Sequence, residues 1–130
     1  MITLVGPSAV CFNGLGVYYG SRYTVTTNVP EFDNRRIYTC DVYYLPDVDA
    51  NNADILRTVT IPFGEARVPN AERALADYIQ HADRFDIELL CDGLEQYFWS
   101  HNGDMSTIKA YLRNRGLLAE LDKWLSMCDI

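Results

Sequence analysis

Residues 55–82 read ILRTVTIPFGEARVPNAERALADYIQHA, and the period of their apolar residues changes part-way along. Up to Phe63, the residues Ile55, Val59, Ile61 and Phe63 stand against Leu56, Thr58 and Thr60, the period of two that a half-buried strand requires. After Gly64 the period lengthens to about 3.6 residues. Asn70 is placed to cap a helix in which Ala71, Ala74, Leu75, Tyr78, Ile79 and Ala82 share one side. Strands therefore precede this point and helices follow it.

Upstream the strand pattern repeats. In VYYGSRYTVTT (residues 17–27), Val17, Tyr19, Tyr23 and Val25 face one way and Tyr18, Arg22, Thr24 and Thr26 the other. In RIYTCDVYYL (residues 36–45), Tyr38, Cys40, Val42 and Tyr44 stand opposite Thr39, Asp41 and Tyr43. Residues 2–5 supply a short further strand. Parallel neighbours need long crossovers, and no crossover helix is legible in this half. The reading is an antiparallel sheet of three to four strands.

Downstream, a helix beginning near Asp86 buries Leu89, Leu90, Leu94, Tyr97 and Phe98. It breaks at Ser100-His101-Asn102-Gly103. Asp104 caps another through Ile108, Tyr111 and Leu112, which ends at Asn114-Arg115-Gly116 with basic residues and a terminal glycine. A last helix carries Leu117, Leu118, Leu121, Trp124 and Leu125. The expected fold is α+β: an N-terminal sheet followed by three to four helices packed on one of its faces.

At 130 residues the chain has the size of one domain, expected over 1–130, with ordinary globular composition. Its charge is less ordinary: eighteen acidic residues against eleven Lys and Arg, a net −7. Direct binding to nucleic acid or to an anionic membrane, which needs clustered positive charge, is disfavoured. No signal-peptide pattern opens the chain and no apolar run could span a bilayer, so a cytoplasmic protein is expected. Cys11, Cys40, Cys91 and Cys128 are widely spaced beside apolar segments and read as reduced, buried thiols.

Residue patterns for catalysis are thin. His81, near the end of the first helix, suits a capping cation. His101, with Asp104 or Glu95 as partner, is the better centre for a small enzyme, but a polar turn also explains it. The run from Asp47 through Asp49 to Asp54 begins like a calcium loop, yet has Asn52 where the turn wants glycine and Thr58 where a bidentate glutamate belongs. No phosphate-binding glycine loop and no zinc spacing occurs, so neither cofactor nor metal is expected.

The negative charge is localised. Residues 31–54 carry six acids against two arginines and residues 71–99 seven against two, while the stretches outside them are neutral or slightly basic. On the second helix Glu88, Asp92 and Glu95 follow i, i+4, i+7 spacing, which aligns them about 6 Å apart per step. A carboxylate row at that pitch presents a basic cleft with what a nucleic-acid backbone would present. Asp47, Asp49 and Asp54 form a second acidic patch. Tyr43 and Trp99 are candidate anchors, since tyrosine and tryptophan bury much area at low entropic cost.

Gly93, Gln96, Tyr97, Phe98, Gly103 and Asp104, in GLEQYFWSHNGD (residues 93–104), resemble the signature of a bacterial family that includes a DNA-mimic protein. That family has a glycine, a glutamine, two or three aromatics, a short polar turn, then Gly-Asp and a helix. The resemblance covers about 30 of 130 residues, and Cys91-Asp92 replaces the family's preceding Asn-Gly. It implies a non-enzymatic inhibitor with a DNA-like surface, of the anti-CRISPR, anti-restriction or anti-repressor type found in phages and mobile elements. Its partner would be a basic nucleic-acid-binding protein. The alternatives are an immunity or adaptor protein that binds through a Tyr-rich sheet, using Tyr18 or Tyr43, and the enzyme centred on His101.

Overall fold

The computed structural model describes residues 2–16, 22–48, 56–62 and 64–130. In chain order the elements are β1 (Ile2–Leu4), α1 (Gly6–Phe12), β2 (Tyr23–Thr27), β3 (Arg35–Ile37), β4 (Cys40–Tyr44), β5 (Leu56–Ile61), β6 (Gly64–Pro69), α2 (Ala71–Gln80), α3 (Ile87–Ser100), α4 (Ser106–Asn114) and α5 (Leu118–Met127). The α+β class stands, with six strands in one sheet ordered β3-β4-β2-β1-β6-β5.

The sheet is mixed, which corrects the antiparallel expectation. β1 pairs antiparallel with β2 but parallel with β6, and β2 pairs parallel with β4. The residues read as one strand over 36–45 turn back at Tyr38-Thr39, where Ile37 pairs with Cys40. That hairpin, with a single 3₁₀ turn at Pro30–Phe32, carries the chain outward and back, so β4 enters beside β2 in the same direction. The crossover needed no helix. Two further elements were not expected. Gly64–Pro69 forms β6, whose Ala66 and Val68 are too few to reveal a period. Gly6–Phe12 forms α1, seven residues long, with Pro7 in its first turn.

The apolar faces around Val25, Val42 and Val59 are as expected. Tyr38, expected beside Cys40 and Val42, is instead an exposed turn residue, and Thr24 and Thr26 on the other face of β2 are also buried. The registers set Leu4 opposite Val25, Val25 opposite Val42, and Val59 opposite Ala66. These residues join Leu75, Tyr78, Leu90, Leu94, Ile108, Leu112 and Leu121 in one core. Residues 17–21, which hold Tyr18 and the first part of one expected strand, lie outside the described residues.

Two helix caps, Asn70 and Asp86, are as expected, while α4 has Met105 at the cap position, one residue after the expected Asp104. Asn70 Oδ1 accepts the Arg73 amide at 2.8 Å, Asp86 Oδ1 accepts that of Glu88 at 2.8 Å, and Asp104 Oδ1 accepts that of Ser106 at 3.0 Å. The helices do not, however, spread over one face of the sheet. α1 packs on β2 and β6, α2 meets β6, and α2 is surrounded by α1, α3, α4 and α5. Every side chain from Arg73 to Ile79 is buried as a result.

The cysteines depart from expectation. Cys91 on α3 and Cys128 at the end of α5 form a disulfide with Cα atoms 5.2 Å apart. Cys40 is a buried free thiol and Cys11 an exposed one. Spacing along the chain does not disclose that α3 and α5 pack side by side.

Candidate interaction face

α3 presents its two sides very differently. Leu90, Gly93, Leu94 and Tyr97 are buried. At about 100° per residue, Glu88, Asp92, Glu95 and Trp99 occupy an arc of roughly 60° on the opposite side. All four are exposed, and Trp99 retains 67% of its accessible surface. Trp99 stands four residues beyond Glu95, so it continues the carboxylate row as its fourth member. From Glu88 to Trp99 the ridge runs about 16 Å along the helix.

No ion pair engages Glu88, Asp92 or Glu95 among the described residues. Like charges at this spacing repel by about 0.2–0.5 kcal/mol per pair. Asp92, Glu95, Gln96, Trp99 and Ser100 line a shallow concavity on this side. Trp99 meets Phe98 edge to face, with ring centroids 5.2 Å apart, and Phe98 packs against the core.

The helix beneath the ridge is firmly held. A Cβ on Gly93 would stand 3.0 Å from Val10 Cγ1 and 3.3 Å from Leu75 Cδ2, so glycine permits a close approach to α1 and α2 that any larger residue would crowd. Tyr97 donates to Glu72 at 3.3 Å, and burial together with that carboxylate pushes its phenol up to about 12. The disulfide fixes the end of α5 against α3. It brings in two features absent from the sequence reading: Met127, next to Cys128, and Ile87, one turn before Cys91. Both are exposed apolar residues.

The other candidate residues fall elsewhere. Asp47 is exposed and accepts a hydrogen bond at 3.3 Å from Gln80, on α2, so it does not extend the α3 ridge. Asp49 and Asp54 lie outside the described residues. Tyr43 is half-buried, edge to face with Phe85 at 5.1 Å, and Arg84 covers its ring at 5.1 Å. Held by these two contacts and half-buried, Tyr43 is part of the packing beside Phe85 and Arg84 and does not stand free as Trp99 does.

The His101 imidazole stacks on the Tyr97 ring at 3.8 Å, and its Nδ1 lies 2.9 Å from the Tyr97 carbonyl oxygen. The Asp104 carboxylate is occupied at the start of α4, and hydrogen bonds from Ser106 hold it below the usual carboxylate range. Neither residue lines the concavity that contains Glu95. The residues that carry the resemblance have structural roles here: Gly93 in close packing, Tyr97 in the core, Gly103 beside Phe98, and Asp104 at a helix start.

In comparisons with known proteins, no family model matches the chain and no curated protein matches its sequence. No helix among the described residues is long and apolar enough to cross a membrane.

Proposed function

We propose that the protein is a non-enzymatic inhibitor that docks the acidic ridge of α3 on a basic, nucleic-acid-binding partner and occupies its nucleic-acid cleft. One observation carries this reading: Glu88, Asp92 and Glu95 form an exposed row with no ion-pair partner among the described residues, and Trp99 continues it. Surface carboxylates that serve only solubility gain from interleaved cations, which relieve their repulsion. This row has none. Trp99, at the end of the row, supplies an aromatic anchor to be desolvated on docking, and the carboxylates supply steering and register. A cytoplasmic setting, where such partners work, belongs to the proposal; there the state of the Cys91–Cys128 pair follows the local thiols.

The test is capture of nucleic-acid-binding proteins on immobilised protein, followed by binding measurements over a salt series. Affinity is expected to fall steeply with salt, because the ridge replaces phosphate charge. The double variant Glu88→Lys, Asp92→Lys is expected to abolish binding, and Trp99→Ala to weaken it about tenfold or more. Binding indifferent to salt and to both changes would sink the proposal.

A further inference from the structure

At the opposite end of the sheet order from β5 stands β3, whose three residues Arg35, Arg36 and Ile37 are all exposed. Short edge strands with charged residues are a common protection against unwanted pairing. Protection does not account for the next residue. Tyr38 sits at the hairpin tip with φ +53° and 92% of its surface exposed. A bulky residue in the left-handed region is an outlier, held there at an energetic cost. Solvent gives a tyrosine no return for that cost.

The turn is actively held. Arg22 donates from Nη1 to the Tyr38 carbonyl at 3.0 Å, from Nη2 to the Cys40 carbonyl at 2.8 Å, and from Nε to Asp41 at 2.8 Å. Three bonds from one guanidinium keep the tip in its strained form and the phenol outward. Behind Tyr38, a mainly apolar groove of about 420 Å³ opens on the sheet face, lined by Ile2, Val25, Phe32, Ile37 and Val42, with Glu65 of β6 also on its wall. Phe32 and Tyr38 are therefore both exposed aromatics and groove walls.

Charge and register decide what this edge accepts. In β3, Arg35 and Ile37 point to the groove face and Arg36 to the other face. The Arg36 side chain is 77% exposed even with Asp41 at 3.4 Å, and Arg35 contacts the Phe32 ring at 5.9 Å with no carboxylate partner among the described residues. A second copy pairing antiparallel about a twofold axis centred on β3 would set Arg36 directly opposite Arg36, which is destabilising. Carboxylates opposite the two arginines and an apolar residue beside Ile37 satisfy every position.

The geometry points to a second docking surface, in which an extended segment of a partner protein, carrying two consecutive acidic residues next to an apolar one, adds as a strand along β3 with Tyr38 as its anchor. Backbone pairing supplies affinity and the alternate side chains supply selection. An apolar side chain on the groove face, next to Ile37, can enter between Phe32 and Tyr38. Arg35 and Arg36 carry the opposite charge to the α3 carboxylates, and this surface does not depend on the ridge.

The probe is a fluorescein-labelled peptide repeating Glu-Glu-Val, measured by anisotropy against the same peptide with Lys for Glu. Saturable binding of the Glu peptide alone is expected, lost about tenfold or more in Arg35→Glu, Arg36→Glu. Tyr38→Asn is the sharper variant, since asparagine tolerates positive φ: its Tm is expected to hold or rise while peptide affinity falls. Glu88→Lys, Asp92→Lys is expected to leave peptide binding intact, so the ridge and the edge fail or succeed separately. No binding of the Glu peptide, equal binding of the Lys peptide, or affinity unchanged by Tyr38→Asn overturns the proposal.

Discussion

Among single residues, Asp77 carries the heaviest structural burden. Its buried carboxylate accepts Arg115 Nη1 at 2.6 Å and lies 3.6 Å from Arg73 Nε. Arg115 also donates to Gln80 at 2.9 Å, and Arg73 donates to the Val48 carbonyl. One side chain thus joins α2 to the turn after α4 and to the turn after β4. Burial pushes the carboxyl up, and the two guanidiniums pull it back. Removing the carboxylate strands Arg73 as a buried charge, so Asp77→Ala is expected to cost about 3–5 kcal/mol, read by urea denaturation.

His81 gives a pH prediction at the same scale. It closes α2 as expected, but not as a cation: burial pushes its pKa below the ordinary 6.5. Arg115 and Arg84 push the same way, and Asp47 and Asp83 oppose. The unfolded chain takes up this proton near 6.5 and the folded chain only at lower pH. Stability is therefore full above 6.5 and declines as pH falls through the folded pKa. Thermal melts over that range are expected to show the decline in the native protein and to flatten in His81→Gln. The Asp33 contribution, from a carboxyl depressed by the Tyr44 amide and Arg84, is lost only further into acid, below 3.8.

Elements show how α3 combines an open ridge with a rigid base. Gly93→Leu forces a side chain against Val10 and Leu75 and is expected to lose about 1–3 kcal/mol by overpacking, seen as a lower Tm. The disulfide acts on the unfolded chain as well, closing a loop of 37 residues. A loop of that length corresponds to about 4 kcal/mol in the chain-entropy account. Cys128→Ser is accordingly expected to lower Tm in oxidising buffer and to leave it near that of the native protein under reductant. Equal melting of the two proteins without reductant would show that α5 is held by Leu121 and Trp124 alone. The β3–β4 hairpin was hidden from sequence because its turn lacks Gly, Asn or Pro. Tyr38 and Thr39 continue the alternation across it, and the bend is held from far along the chain, by Arg22 on the Tyr38 carbonyl and by the Tyr23 amide on the Thr39 carbonyl.

For the whole molecule, charge is the property most legible in sequence. Counting placed the acids in two segments, and helical spacing placed Glu88, Asp92 and Glu95 in one row. Both are local arithmetic, independent of how elements pack. Helix starts at Asn70 and Asp86, and the apolar faces around Val25, Val42 and Val59, were legible for the same reason: caps and periods are written within a few residues. Tertiary structure alone decided the rest. Parallel pairing of β1 with β6 and β2 with β4, the union of Cys91 with Cys128, the engagement of Tyr43 by Phe85 and Arg84, and the exposure of Tyr38 all join residues distant along the chain. Such pairings follow from shape and from competition for burial, which no short window of sequence contains.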